Sequence, residues 1–425
     1  MRVLVLTARV GGGHEAIGRT VGAELEAAGY RVESLDGLRA MGRGLNWALT
    51  TGYRSQARHM QASLGAIFAL TGHPTGAAAV RGAVGLLYAR RLGRLVRGFE
   101  PDVVVSTYPL VTAALGRLRT GGYLRTPALA IIPDYGVHPL WVVPNLDLHL
   151  VASERSARLA ADARGEAVPV RMPVAEGFRR PPSKEVARAA LGIPEETFVA
   201  LLVGGVWGIG DLEGAAACAL EAGAYTVVVT GENAPLKRRL ERRFAGDPSA
   251  RILGWRDDMP ALMAAADCLV QNAGGMTCLE AIEVGLPILL YDPISGHGEL
   301  NAEVMEQENV AQVARSREEL CDLLRKAPPK ADPSSAARPV KTEVADLLPA
   351  VLPSEHETGA PPRRTSLLRP VLACAAMVAL ISSTLLASTD AGRVTLGALP
   401  QVLEKVGSSG LWVRPVGELL DGGWS

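Results

Sequence analysis

Aromatic side chains make up only 4% of the 425 residues, and 44 acidic residues offset 44 basic ones, so the formal net charge is zero. Few aromatics exclude an extended stacking platform for single strands, and the balanced charge excludes a chain-wide basic footprint. No nucleic-acid partner is expected. Cysteines are few: Cys218, Cys268, Cys278, Cys321 and Cys374, an odd count without a CxxC pair. That pattern argues against a disulfide scaffold or a structural zinc site and points to a reducing, cytosolic setting. No DxD triplet occurs, so a metal-bridged diphosphate is not indicated, and neither a metal nor a cofactor is expected. The apolar run at residues 3–6 gives way to Gly11-Gly12-Gly13, too short for the apolar region of about 7–15 residues in a signal peptide.

What is present is a 48% hydrophobic, 21% charged chain, the composition of a folded protein rather than a disordered one. Short buried-strand patterns alternate with helical stretches, the signature of a parallel sheet covered by helices. Residues 1–170 read as one doubly wound, Rossmann-like domain and residues 183–326 as a second, separated by a Pro-rich passage and facing a cleft. Residues 327–366, rich in Pro, Ser, Ala and charge, read as a disordered linker. Residues 371–388 carry no charge, near the lower limit of about 17–25 residues for a membrane span. A transmembrane helix is therefore expected over 367–389, followed by a short tail at 390–425. Arg363, Arg364 and Arg369 before it place residues 1–365 on the cytoplasmic side of the cell membrane.

Five polar or glycine-rich segments follow strand patterns, where open α/β sheets bind ligands. The first, Gly11-Gly12-Gly13-His14, is neither GxGxxG nor followed by GK[ST]. Its glycines allow close backbone approach and open a helix whose N-terminus favours an anion. His14 reads either as a general base toward a hydroxyl or as a helix-start residue. In the second, Asp134 and His138 either bond a polar substrate or orient their own loop. The third, Gln271-Asn272-Ala273-Gly274-Gly275-Met276-Thr277, opens a helix able to receive a diphosphate, with Glu280 one turn further on to take ribose hydroxyls. The fourth holds Gly204 and Gly205. The fifth, with His297, Glu299 and Asn301, offers donors and acceptors for a sugar, or caps a helix. Arginines from Arg54 to Arg97, interleaved with apolar residues, read either as an interfacial face for an anionic membrane surface or as a solvated helix face.

Together these motifs resemble glycosyltransferase family 28, and within it the diacylglycerol sugar transferases, over residues 1–325. The resemblance implies a GT-B fold with a C-terminal membrane helix added, a UDP-sugar donor, a membrane lipid acceptor such as diacylglycerol, and inversion at the anomeric carbon. By it, His14 and Asp134 are the catalytic pair, with His14 the base or the group that positions the acceptor hydroxyl. Gly204, Gly205, Trp255, Asn272, Gly274, Gly275, Met276, Thr277, Glu280, His297, Glu299 and Asn301 take the donor. Trp255 belongs to a segment similar to the loop that holds the uracil ring. Gly12, Gly13, His138 and Trp141 take the acceptor. His297-Gly298 stands where relatives often have Gln-Glu, Trp207 where small residues are usual, and Pro133 where Thr is common. Two other functions keep the fold: transfer to a polyprenyl-linked intermediate, or non-catalytic UDP-sugar binding at a membrane.

Overall fold

The computed structural model describes residues 1–10, 12–47, 49, 61–326 and 340–352. The first sheet contains β1 (Arg2–Thr7), β2 (Arg31–Asp36), β3 (Val103–Ser106), β4 (Ala128–Ile131), β5 (Leu148–Val151) and β6 (Ala167–Pro169), in the order β2-β1-β3-β4-β5-β6. The second contains β7 (Val199–Val203), β8 (Tyr225–Val229), β9 (Ala250–Leu253), β10 (Cys268–Gln271), β11 (Ile288–Tyr291) and β12 (Gln312–Ala314), in the order β12-β11-β10-β7-β8-β9. Every pairing is parallel. The central strands are buried on both faces, as parallel strands under helices must be: Val103, Val104 and Val105 are fully buried, as are Ala200 and Leu202. Helices cover the sheets, and some begin at a side chain that caps them. Ser153 accepts from Ser156 N–H at 3.1 Å, and Ser183 caps Lys184–Leu191, which ends at Gly192 in the left-handed region.

Strand order reverses between β1 and β3 in the first sheet and between β7 and β10 in the second. A crevice opens at such a point because the flanking connections run to opposite faces. The first, third and fourth glycine-rich motifs follow β1, β10 and β7. They therefore stand at the two places where this topology makes room for a ligand.

Two expectations are corrected. The cysteines are not all reduced: a disulfide joins Cys218, on the helix Leu212–Glu221, to Cys321, on Arg317–Arg325, with Cα atoms 4.9 Å apart. The separation of 103 residues hides this pair from any local motif. Alkylation of the unfolded, unreduced chain is expected to leave Cys218 and Cys321 unlabelled in peptide mass spectrometry. Labelling of both without reductant would contradict the bridge.

The linker is not wholly disordered. Residues 340–352 return to the first domain with a helical turn, Val344–Leu347. Val344 and Leu348 are fully buried. The Glu24 carboxylate accepts from the N–H groups of Val344 (2.9 Å) and Ala345 (3.3 Å), and Arg179 bridges Glu24 and Glu343. Burial pushes the Glu24 pKa up, against the hydrogen bonds from this turn. The expected membrane helix at 367–389 and the 390–425 tail lie outside the described residues. Among the described residues no helix is long and apolar enough to cross a membrane.

Candidate active site

The carboxyl ends of the two sheets meet through their loops. Gly12, at φ 82°, has room for no side chain: a Cβ there would lie 2.5 Å from Val206 Cγ2, in the loop after β7. A Cβ on Gly13 would touch Met276 Cγ at 3.7 Å, in the segment after β10. The glycines therefore let the first domain's loop lie against the second domain, where a diphosphate-sized ligand is expected.

His14 starts the helix Gly13–Ala27 and is tied to the residue just past β3. Its Nδ1 lies 2.7 Å from the Thr107 carbonyl, and the Thr107 hydroxyl donates to the His14 carbonyl at 2.9 Å. A carbonyl only accepts, so Nδ1 carries the proton and Nε2 keeps its lone pair. Tyr108 meets the ring edge-on at 5.0 Å, and Trp141 lies 5.5 Å away. Burial pushes the His14 pKa down to about 4, against the Thr107 hydrogen bond. The ring is neutral at physiological pH and able to take a proton. Thr107 and Tyr108 were not singled out in the sequence, although their position just beyond a switch-point strand was a usable signal.

The segment after β4 is bolted to the second domain. The Asn301 Oδ1 accepts from Tyr135 N–H at 2.6 Å and Gly136 N–H at 3.1 Å, and its Nδ2 donates to the Ala273 carbonyl at 2.9 Å. Asn301 is fully buried. Its amide is thus engaged in the domain contact, which corrects its expected role facing the sugar. His138 is also structural: Nε2 donates to the Phe68 carbonyl at 3.0 Å and Nδ1 accepts from Leu140 N–H at 3.2 Å. With both nitrogens used, it anchors the helix Gln61–Gly72 and is not open to an acceptor. Asp134 is 6% exposed, carries no ion pair among the described residues, and lies on the first residue of the helix Gly275–Val284. Burial pushes its pKa up to about 7.

In the third motif, Gln271 does unforeseen work: its Oε1 accepts from Gly274 N–H at 2.7 Å and from the Cys278 thiol at 3.3 Å. Asn272 is structural, accepting from Gln271 Nε2 and donating to the Ile209 carbonyl, so it is not free for the donor. Ala273 is held at φ 65°, a strained position for a side chain. Met276 is buried and Thr277 half-buried at the opening of the helix. Glu280 is half-buried and, among the described residues, has no hydrogen bond to another side chain; burial pushes its pKa up to about 8. Gly204 N–H is spent on the Val229 carbonyl and its carbonyl on Ile209 N–H, while Gly205 turns the chain at φ 65° with open space around it.

His297 opens the helix His297–Gln307; its Nδ1 is buried with no hydrogen-bond partner, and Phe68 lies 5.4 Å away. Burial, with His14 and His138 adding to it, pushes its pKa down to about 4. Glu299 caps its own helix, one carboxylate oxygen accepting from Gly296 N–H at 3.0 Å. Trp255 is 54% exposed, with Nε1 donating to Asp257 at 3.0 Å, so its indole face is open to stack on a base. Trp141 is mostly buried in a small core with Ile132, Val137 and Val142, and its ring lies tilted against His14.

Residues 14–166 match the model of the monogalactosyldiacylglycerol (MGDG) synthase family, and residues 202–341 match that of the glycosyltransferase family 28 C-terminal domain. The chain is 27% identical over 253 residues to the processive diacylglycerol beta-glucosyltransferase of Bacillus subtilis (strain 168), covering 55% of this chain and 62% of that protein. The Bacillus pumilus (strain SAFR-032) protein of the same name is 26% identical over 239 residues, with the same coverage. The chain thus spans less than two thirds of the length of the curated relatives it matches. Among solved structures, the Streptomyces sp. SF2575 glycosyltransferase SsfS6, complexed with thymidine diphosphate, matches at TM-score 0.55 and 14% identity, over 83% of this chain and 99% of that one. The spinosyn rhamnosyltransferase SpnG matches at TM-score 0.52 and 16% identity over the same shares.

The architecture is the GT-B fold, two parallel-sheet α/β domains, which these solved glycosyltransferases share. Among glycosyltransferases the chain resembles family 28 on both domains: the MGDG synthase type in the first and the family's C-terminal domain in the second.

Proposed function

We propose that this protein transfers a hexose from a UDP-sugar to the free hydroxyl of diacylglycerol, with inversion, at the cytoplasmic face of a membrane. The observation that carries the reading is His14. Its imidazole is neutral, fixed by Thr107 with Nε2 unprotonated, and it stands across the domain contact from the helix Gly275–Val284.

The acceptor oxygen attacks the anomeric carbon from the face opposite UDP, and the bond from that carbon to the diphosphate oxygen breaks. His14 Nε2 takes the hydroxyl proton as the new bond forms. The leaving diphosphate keeps the electron pair and gains charge. The opening N–H groups of Gly275–Val284 stabilise that charge. Glu280 accepts from the ribose hydroxyls, Trp255 stacks on the uracil, and the unpartnered Nδ1 of His297 faces the sugar.

The first domain offers a surface for the lipid. Leu70, Leu86 and Leu87 are exposed at 58%, 39% and 57%. On the helix Pro74–Phe99, Arg90, Arg91, Arg94 and Arg97 suit an anionic headgroup layer. Arg81 does not belong to that face, since it is half-buried and donates to the Pro139 carbonyl. Arg54, Arg58 and His59 lie outside the described residues.

Glu280→Ala is expected to raise the donor KM by about 2–10-fold and change kcat little, because burial keeps this carboxyl largely protonated near neutral pH and a hydrogen bond to a neutral group contributes about 0.5–1.5 kcal/mol. Initial rates across donor concentrations check this. An unchanged KM would remove Glu280 from the donor site.

A further inference from the structure

Asp134 lies where the proposed donor places its diphosphate, so the role of its carboxyl rests on that reading. A Cβ built on Gly275 would fall 2.2 Å from Asp134 Oδ1. Only glycine at the first helical position lets the carboxyl sit there. The helix start has no side-chain cap of its own. Gly274 N–H is taken by Gln271, and the helical ladder begins with Cys278 N–H on the Gly274 carbonyl. The N–H groups of Gly275, Met276 and Thr277 precede that ladder, the part of a helix that receives an anion.

The carboxyl is not there for want of a better place. Among the described residues no salt bridge involves Asp134, and it is 6% exposed. Its segment has little freedom to swing away. Asn301 holds the next two N–H groups, and a Cβ on Gly136 would lie 2.7 Å from Asn301 N. The titratable groups facing it are the Cys278 thiol, itself raised by burial and by the Asp134 charge, and beyond it Glu280. Tyr135, its neighbour, faces Glu308. None of these supplies a positive charge to offset two anions on one helix start.

We propose that the Asp134 carboxylate and the donor diphosphate compete for the N-terminus of the helix Gly275–Val284, so that donor binding takes up a proton at Asp134. Once protonated, Asp134 no longer repels the diphosphate and can donate a hydrogen bond to it. The carboxyl's pKa of about 7 puts the exchange in the working pH range. It also gives the sign: donor affinity is full below neutrality and falls as pH rises.

UDP-glucose is the suitable probe, because its diphosphate stays ionised throughout the range. Calorimetric titration of the full chain from about pH 6 to about pH 8.5, in two buffers of different ionisation enthalpy, counts the protons exchanged. Wild-type affinity is expected to fall by up to tenfold per pH unit above about 7, with close to one proton taken up. Asp134→Asn is expected to lose the pH dependence and, at about pH 8, to bind roughly tenfold more tightly than wild type. UDP-glucose binding by wild type with flat affinity and no proton uptake would overturn the competition and leave the donor reading standing. The same holds if Asp134→Asn keeps the wild-type pH dependence. No UDP-glucose binding by wild type at any pH would overturn the donor reading and the competition together. The wild-type proton count needs no variant, so a misfolded Asp134→Asn does not spare the proposal.

Discussion

His14→Ala is expected to lower kcat by about 10²–10⁴-fold, the usual contribution of a positioned general base, while UDP-glucose still binds. The expectation follows from geometry. The Thr107 carbonyl fixes the tautomer, leaving Nε2 as the only basic atom of the ring. His14→Gln should not rescue, since an amide is no base. The pH profile carries the same signature. Burial holds the His14 pKa near 4, below the ordinary value of 6.5. The free enzyme should therefore stay active on the acid side until pH approaches that value. Stability has the same sign: unfolded His14 binds a proton from about 6.5 downward, so its contribution is full above that pH and is lost as pH falls toward about 4. Turnover in His14→Ala close to wild type would remove the ring from the chemistry.

Asn301→Leu is expected to destabilise the folded chain by about 2–5 kcal/mol, seen as a lower denaturation midpoint. The side chain is fully buried and makes three hydrogen bonds: two accepted from the Tyr135 and Gly136 N–H groups, one donated to Ala273. Leucine, branched alike but without polar atoms, leaves those three backbone groups unpaired, at about 1–3 kcal/mol for each buried group left so, partly offset by relaxation. The loss falls on the contact between the domains, so activity should drop more than the global midpoint implies. A variant with wild-type midpoint and activity would show that the clasp carries no weight.

Much of the fold was legible in the sequence, for a physical reason. Central parallel strands are buried on both faces and read as unbroken apolar runs: Val103-Val104-Val105 in β3, and residues 199–203 in β7. The strands that left no such mark, β6, β9 and β12, all lie at the end of the strand order in their sheets and are largely half-exposed. Edge strands need no long apolar run, so composition does not reveal them. His14 and the two glycine turns were legible because a switch point dictates where a ligand can sit. The protein partners of Asn301, His138 and Glu299 were not legible, because a polar side chain after a strand looks the same whether it serves a substrate or a neighbouring loop. Only the partner decides, and that partner is 166 residues away for Asn301 and 70 for His138. The Cys218–Cys321 bridge and the return of residues 340–352 onto Glu24 were hidden for the same reason.

The central claim is transfer of a hexose from UDP to diacylglycerol. Its most direct test incubates the full chain with UDP-glucose or UDP-galactose, with and without diacylglycerol-containing vesicles, and measures released UDP together with extracted lipid by mass spectrometry. The account predicts UDP release that requires diacylglycerol and a matching hexosyl-diacylglycerol product. Diacylglycerol-independent UDP release, or clear UDP-sugar binding with no glycolipid formed, would contradict it.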